Sequence, residues 1–394
     1  MSSRYSYDIS KDESGIIYYN SYLTNQLSGS VISPIPATFN QSLNSVLITD
    51  VSNYDLCISR FSLSALSIPF WNVPIISNQP NVNLTPYFIQ LNYTSISNNS
   101  SFVQVPLLYV NTITPPTTQG GGYGYYFSYD KQDFVNMFNI AMQTAMTSLN
   151  TAFTTSYPAD VNFPPLGTPF IGGLPNPNLP VLKYNESFQK FQIYYNVATW
   201  IGANAIKIYL NDVLYPLLQF PAINVDIPNL YLLEIVLNDN YYIPSFVSAY
   251  DVASQPYLVM YSDHNTLGLF SPLSKIVVTS ASLPTQSENI QPTSNAYSAS
   301  TPSNVSQIIG AKIITDFQPD FSTTNLVNRD FIQFNQSVNN SRLISMQGSN
   351  VALTKFDITV YWSDANGNLF PVYLYNGQSF DMKCAFRPKK YNYL

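Results

Sequence analysis

The run FDITVYWSDANGNLFPVYLYNGQSFDMKCAFRPKK, Phe356 to Lys390, limits the possible folds more than any other stretch of this chain. Phe356, Ile358, Val360 and Trp362 alternate with Asp357, Thr359, Tyr361 and Ser363. That is the period of a strand with one face in a core. Asn366-Gly367 and Asn376-Gly377 accept the positive φ that tight turns need. Phe370, Val372 and Leu374 alternate between the two turns. Phe380, Met382, Cys384 and Phe386 then line one face of a last strand, with Asp381, Lys383 and Arg387 on the other. Three strands built for packing hold no obvious catalytic residue.

The rest of the chain points the same way. Only 10% of its 394 residues are charged, against a usual share of about 25%. Its polar surface must come from Asn, Ser, Thr, Gln and Tyr. The 31 Tyr, 24 Phe and 28 Pro favour strands over helices. Tyr suits interfaces, since it buries a ring and satisfies its hydroxyl, and low charge leaves little repulsion between copies. Both traits suit an obligate assembly; a codon bias toward Asn, Tyr and Ile accounts for them equally well. A net charge of −6 argues against a dedicated nucleic-acid binder. Cys57 and Cys384 are too few for a disulfide framework and read as small buried hydrophobes. MSSRYSYDISKDESG has no apolar core of a signal peptide, and no apolar run reaches the ~18 residues of a membrane span.

Residues 1 to 35 read as a polar, Tyr/Ser-rich arm that orders on a neighbour. Ser45 to Trp71 suggests two strands, broken at Asp50 to Asn53 and ended by Ile68-Pro69. Pro86 to Ile96 and Ser101 to Val110 read as two more, separated by the turn SNNS. A loop with Gly120-Gly121-Gly122 follows, lacking the Lys-Ser/Thr of a phosphate cradle. Asp130 is placed to cap a helix from Lys131 to about Phe153. Phe134, Met137, Phe138, Ala141, Met142, Ala145, Met146, Leu149 and Phe153 share one face of it, which predicts a helix lying across a sheet. Leu182 to Tyr195 reads as a hairpin turning near Asn185-Glu186. Strands return from Ser274, interrupted by a long polar linker.

Candidate chemistry is sparse. The single histidine, His264, beside Asp263, provides neither a zinc-site spacing nor a nucleophile elbow; a hydrogen-bonded loop histidine is the better reading. The carboxylate pairs Asp239 with Asp251 and Asp316 with Asp320 carry no supporting motif of a glycosidase. No catalytic residue, metal ligand or cofactor site is expected, and the chain is read as a non-enzyme. Arg387, Lys389 and Lys390 form a small basic tail, a candidate internal contact for nucleic acid; a solvated or carboxylate-paired terminus is the plainer alternative.

The closing module resembles the C-terminal strands of penton (minor capsid) proteins of virophages and polinton-like viruses, most of all the Sputnik virophage type. The positions that carry the likeness are Tyr361, Trp362, Asp364, Gly367, Asn368, Pro371, Gly377 and Lys383. RFSLSALSIPFW, with Arg60, Phe61 and Pro69, resembles an early strand of the same family, as does GYYFSYDKQDFVNMFNIAM. The resemblance covers about half the chain, at its two ends. It implies a mainly β fold: a single eight-stranded antiparallel jelly roll with an inserted α+β or β subdomain and an N-terminal arm. The expected division is 1–35 arm, 36–115 first half of the jelly roll, 116–268 inserted outer subdomain and 269–394 second half. The implied function is a structural capsid protein forming pentameric vertices of an icosahedral virion, assembled in host cytoplasm or a viral factory. Its implied partners are itself as a homopentamer, major capsid protein capsomers around the vertex, and packaged DNA through weak nonspecific contact. The length suits one jelly roll plus an insert better than the two fused jelly rolls of a hexon-type protein. The competing function is a carbohydrate- or receptor-binding jelly-roll module without a capsid role.

Overall fold

The structure is a computed structural model, and it describes residues 2–26, 34–76, 80–81, 83–110, 125–160, 179–196, 200, 205–227, 230–237, 257–285, 312–319, 331–335, 342–348, 350–365, 367 and 369–389. The fold is mainly β, and every strand pairing among these residues is antiparallel. Two compact units divide the chain: Met1–Phe70 with Thr114–Thr118 and Pro272–Leu394, and Trp71–Ile113 with Gln119–Ser271.

The first unit holds two facing sheets. One runs in the order Ser2–Lys11, Ile17–Gln26, Ser379–Pro388, Tyr54–Ser64, Phe331–Asn335, and Ile344–Ser345 also pairs with Tyr54–Ser64. The other runs Lys312–Phe317, Lys275–Ser280, Lys355–Ser363, Leu369–Pro371, and Thr38–Ser42 also pairs with Lys355–Ser363. Alternation along each strand puts aromatic side chains between them. Tyr19 lies 4.3 Å from Phe356 and 6.2 Å from Phe39, ring centre to ring centre. Phe356 reaches Phe386 at 6.5 Å, and Phe61 reaches Phe317 at 5.3 Å. All the predicted inward residues of the closing strands are buried: Phe356, Ile358, Val360, Trp362, Phe370, Val372, Leu374, Phe380, Met382, Cys384 and Phe386. Burial of each such side chain contributes about 1.5–3 kcal/mol before chain entropy is subtracted.

The middle closing strand is split where the sequence suggests continuity. Leu369–Pro371 pairs with Lys355–Ser363, whereas Tyr373–Leu374 pairs with Ile35–Pro36. The ladder is interrupted at Val372: its N–H still donates to the Val360 carbonyl at 3.1 Å, but Ala37 intervenes, accepting from Val360 N at 3.0 Å and donating to the Val372 carbonyl at 2.8 Å. The second turn is pinned: Gly377 N donates to the Asn25 carbonyl at 2.8 Å, and Asn25 Nδ2 donates to the Leu374 carbonyl at 2.8 Å. Gly377 sits at φ +80 with open space where a Cβ would go, so only backbone strain opposes a side chain there. Gly377→Ala should cost about 1 kcal/mol and lower the midpoint of thermal unfolding by about 2–4 °C. Differential scanning calorimetry of the purified variant checks this, and an unchanged midpoint would refute the strain argument.

Three expectations are corrected. Residues 2–26 are a ten-by-ten residue hairpin in the first sheet, not an arm. Tyr19 and Leu23 in it are fully buried, because Ile17, Tyr19, Ser21 and Leu23 follow at a spacing of two on the face that meets Phe39 and Phe356. Ser45 to Asp50 makes no strand; only an Ile48–Leu353 bridge forms there, and Asp50 caps a short turn by accepting from Ser52 N. The strands Leu84–Thr94 and Ser100–Leu108 belong to the second unit, not to the sandwich. Alternation reveals which face of a strand is buried, not which sheet buries it.

In the second unit those two strands extend a five-stranded sheet, ordered Ala222–Ile227, Leu230–Ile235, Lys207–Asn211, Leu84–Thr94, Ser100–Leu108. The helix spans Lys131–Ser156, with Asp130 accepting from Gln132 N at 2.9 Å as its cap. Its predicted Phe/Met/Ala face is wholly buried. Phe153 meets Tyr93 at 5.0 Å, and Phe134 meets Trp71 at 5.3 Å, Phe270 at 5.0 Å and Phe191 at 5.4 Å. The helix therefore lies on the sheet face that carries Tyr87, Ile89, Leu91 and Tyr93. Val181–Asn185 and Lys190–Asn196 form the predicted hairpin, and Tyr257–Tyr261 joins it as a third strand.

Candidate functional site

The motif residues fall into two groups by face. Phe61, Trp362 and Pro69 are buried. Phe61 packs on Phe317 and, at 6.4 Å, on Phe380, and Trp362 stacks on its cross-strand partner Phe370 at 4.2 Å. Tyr361 opposes Pro371, and burial raises its hydroxyl pKa. Gly367, at φ +82, donates its N–H to the Asp364 carbonyl at 3.1 Å. Asn368 lies outside the described residues. These positions pack the core or shape turns.

The other group lies on the outward face of the six-stranded sheet. Arg60 grips Asp381 with two parallel hydrogen bonds, Nε to Oδ1 at 3.0 Å and Nη2 to Oδ2 at 3.1 Å. Both side chains are solvent-exposed enough that the pair contributes only about 0.2–1 kcal/mol. Lys383 Nζ sits 4.2 Å from the ring centre of Tyr18, a cation–π contact. Lys389 Nζ donates to the Ser52 carbonyl at 2.7 Å and the Met346 carbonyl at 3.2 Å, with Asp55 at 3.9 Å. Its charge closes a loop of its own unit. Arg387 is half-buried opposite Asp55, and Lys390 lies outside the described residues.

One heavily bonded carboxylate, Asp357, carries no signal in the sequence. Asp357 is 8% exposed on a position that alternation assigns to solvent. It accepts from Ser280 Oγ at 2.8 Å, Ala281 N at 2.8 Å, Ser282 N at 2.9 Å and Ser282 Oγ. Burial pushes its carboxyl upward, but the hydrogen bonds from Ser282, Ala281 and Ser280 outweigh that and hold it below the ordinary value. A Ser-x-Ser turn near a strand carries no spacing to Asp357, which lies 75 residues on from Ser282.

The other candidates stay dispersed. His264 is exposed, and its carbonyl accepts from Ser262 Oγ at 3.0 Å. The Asp263 carbonyl accepts from Lys190 Nζ at 2.7 Å. Asp316 pairs with Lys275 at 2.9 Å and Arg342 at 3.6 Å. Asp239, Asp251, Asp320 and the triglycine lie outside the described residues. Among the described residues no group of three or more His, Cys, Asp or Glu could hold a metal ion, and no helix is long and apolar enough to cross a membrane. Cys57 and Cys384 are buried free thiols, and burial pushes Cys384 up. What the arrangement offers is surface and packing.

Comparison with known proteins agrees. Residues 17–388 match the family model of the Sputnik minor capsid protein V18/19. Over 124 residues the chain is 29% identical to protein V18 of Sputnik virophage, a match spanning 29% of this chain and 74% of that one. A chain of the Sputnik virophage cryo-EM structure superposes with TM-score 0.65 and 22% identity, covering 95% of this chain and 98% of that chain. The mavirus penton protein superposes with TM-score 0.52 and 16% identity, covering 95% and 99%. At these identities both likenesses speak for a shared fold.

Proposed function

The chain belongs to the Sputnik minor capsid protein V18/19 family, and from that premise we propose that five copies of it close each vertex of an icosahedral virion. It is a capsid protein, and its place is the virion. The observation that carries the vertex reading is the winding of the first unit. Ile17–Gln26, Ser379–Pro388, Tyr54–Ser64 and Phe331–Asn335 lie side by side in one sheet. Thr38–Ser42, Lys355–Ser363, Lys275–Ser280 and Lys312–Phe317 do so in the other. Taken in chain order these are eight strands, and the order supports a single jelly roll made of two Greek keys. One jelly roll per chain suits a fivefold position, where a head-to-tail contact repeated by one-fifth of a turn closes a ring. The mavirus protein of similar fold is named a penton; carrying that role to this chain is part of the proposal.

The second unit, entered between Tyr54–Ser64 and Lys275–Ser280, is the insert and faces the outside of the particle. Major capsid protein capsomers surround the ring. Arg387 makes at most a weak, nonspecific contact with packaged DNA, because a few cations release few counterions. Assembly takes place in host cytoplasm or a viral factory. Native mass spectrometry of the purified chain tests the ring: the expected species contains five 44.2 kDa chains. A monomer at every concentration, or a trimer, would overturn it.

A further inference from the structure

We propose that the strand Ser2–Lys11 is the flank on which the next copy of this chain docks, an inference that rests on the ring reading. The strand is the last in its sheet; among the described residues it pairs only with Ile17–Gln26. All ten residues are in register without a bulge, and none is proline. Among the described residues its far edge thus offers a row of N–H and C=O groups without a strand partner. Proteins that must stay single blunt such edges by shortening, bulges, proline or dense charge. Here Ser6 to Lys11 are exposed, with charge only at Asp8 and Lys11 in that stretch.

Its side chains add an apolar strip. Tyr7 is 36% exposed and Ile9 41% exposed. Ile9 lies opposite Tyr19 and Tyr7 opposite Ser21, on the face that carries the sandwich core. Tyr7 stacks on Tyr19 at 5.6 Å and 11°, and Tyr19 meets Phe356 in a tilted contact. The core face therefore runs past the rim of the sandwich and ends on this strand at Tyr7 and Ile9, which are partly exposed.

The hairpin geometry selects the occupant. An arm that reached distant capsomers would need to swing free. This strand cannot, because its turn is locked. Asp12 Oδ1 accepts from Ser14 Oγ at 2.7 Å and Ile16 N at 2.9 Å, and Oδ2 accepts from Tyr18 OH at 3.3 Å. Gly15 supplies the positive φ of +80. The strand stays along the flank of its own sandwich, so what covers it is whatever stands beside that flank. In a closed ring that is the next copy. Edge pairing supplies main-chain hydrogen bonds, and Tyr7 with Ile9 supplies the apolar contact, the pattern of strand addition.

Two measurements on the full-length chain test this. First, native mass spectrometry over a concentration series compares the wild type with Ile9→Lys, whose melting midpoint at concentrations below ring formation should be unchanged because Ile9 is 41% exposed. Ring dissociation should shift to concentrations at least about tenfold higher in Ile9→Lys, while Ile9→Val keeps the wild-type behaviour. Second, hydrogen exchange of the Ser3–Lys11 amides should slow on ring formation. A ring that forms at the same concentration in Ile9→Lys, or without added protection of these amides, overturns the inference and leaves the ring standing. A wild type that is monomeric throughout overturns both.

Discussion

Phe356→Ala should remove about 3–5 kcal/mol from the first unit, a large part of the 5–15 kcal/mol typical of a domain. The side chain is fully buried. It touches Tyr19, Phe39 and Phe386 at ring distances of 4.3, 6.2 and 6.5 Å. Those three rings come from strands at both ends of the chain, in both sheets. Truncation therefore opens a cavity where the two ends meet and removes aromatic pairs worth about 0.5–1.5 kcal/mol each. In a chain of two units each melting midpoint refers to the transition of the first unit, and a loss this large is read best at local amides. Native-state hydrogen exchange of the amides in Phe380 to Phe386 reads the loss directly. Phe188→Ala, at a residue 61% exposed, should stay within about 0.5 kcal/mol. A Phe356→Ala loss below about 1 kcal/mol would mean that the two sheets do not share this core.

The second large effect belongs to Asp357. Asp357→Ala leaves two backbone N–H groups and two hydroxyls without their acceptor, for a cost of about 2–4 kcal/mol. Asp357→Asn keeps one acceptor oxygen and should lose less. The pH dependence follows from the same bonds. Its native carboxyl titrates below the ordinary value of 3.8, so the unfolded chain binds this proton more readily than the folded one. Its contribution is then complete above the unfolded value and fades as pH falls through the lower native value. Thermal unfolding between about pH 6 and pH 2 should show the gap between wild type and Asp357→Asn narrowing below about pH 4. A gap of constant size down to the acid end would contradict this assignment.

These two neighbours also show what a sequence can and cannot reveal. Phe356 announced itself, since its alternation with Ile358, Val360 and Trp362 matches a half-buried strand. The helix was equally plain, because Asp130 and the Phe/Met face follow local rules of capping and period. Asp357 was hidden by the same alternation, which assigned it to solvent. Its donors come from a turn far away in sequence, and no local rule reaches that distance. The hairpin of residues 2–26 was half visible: Ile17, Tyr19 and Leu23 alternate, but Ser, Asn and Tyr between them mask the pattern. The Leu84–Leu108 hairpin is legible as strands, but its unit is not, because pairing partners such as Lys207–Asn211 lie more than a hundred residues on. Arg60, Lys383 and the turn glycines were legible as motif, and the structure gives them packing and surface roles.

The most direct measurement is a cryo-EM reconstruction of particles that contain this chain, with density assigned to it by fit of both units. The expected result is five copies around each fivefold axis, each contributing one two-sheet sandwich to the shell. Density for this chain away from the fivefold axes, or none of it in the shell, would contradict the vertex role.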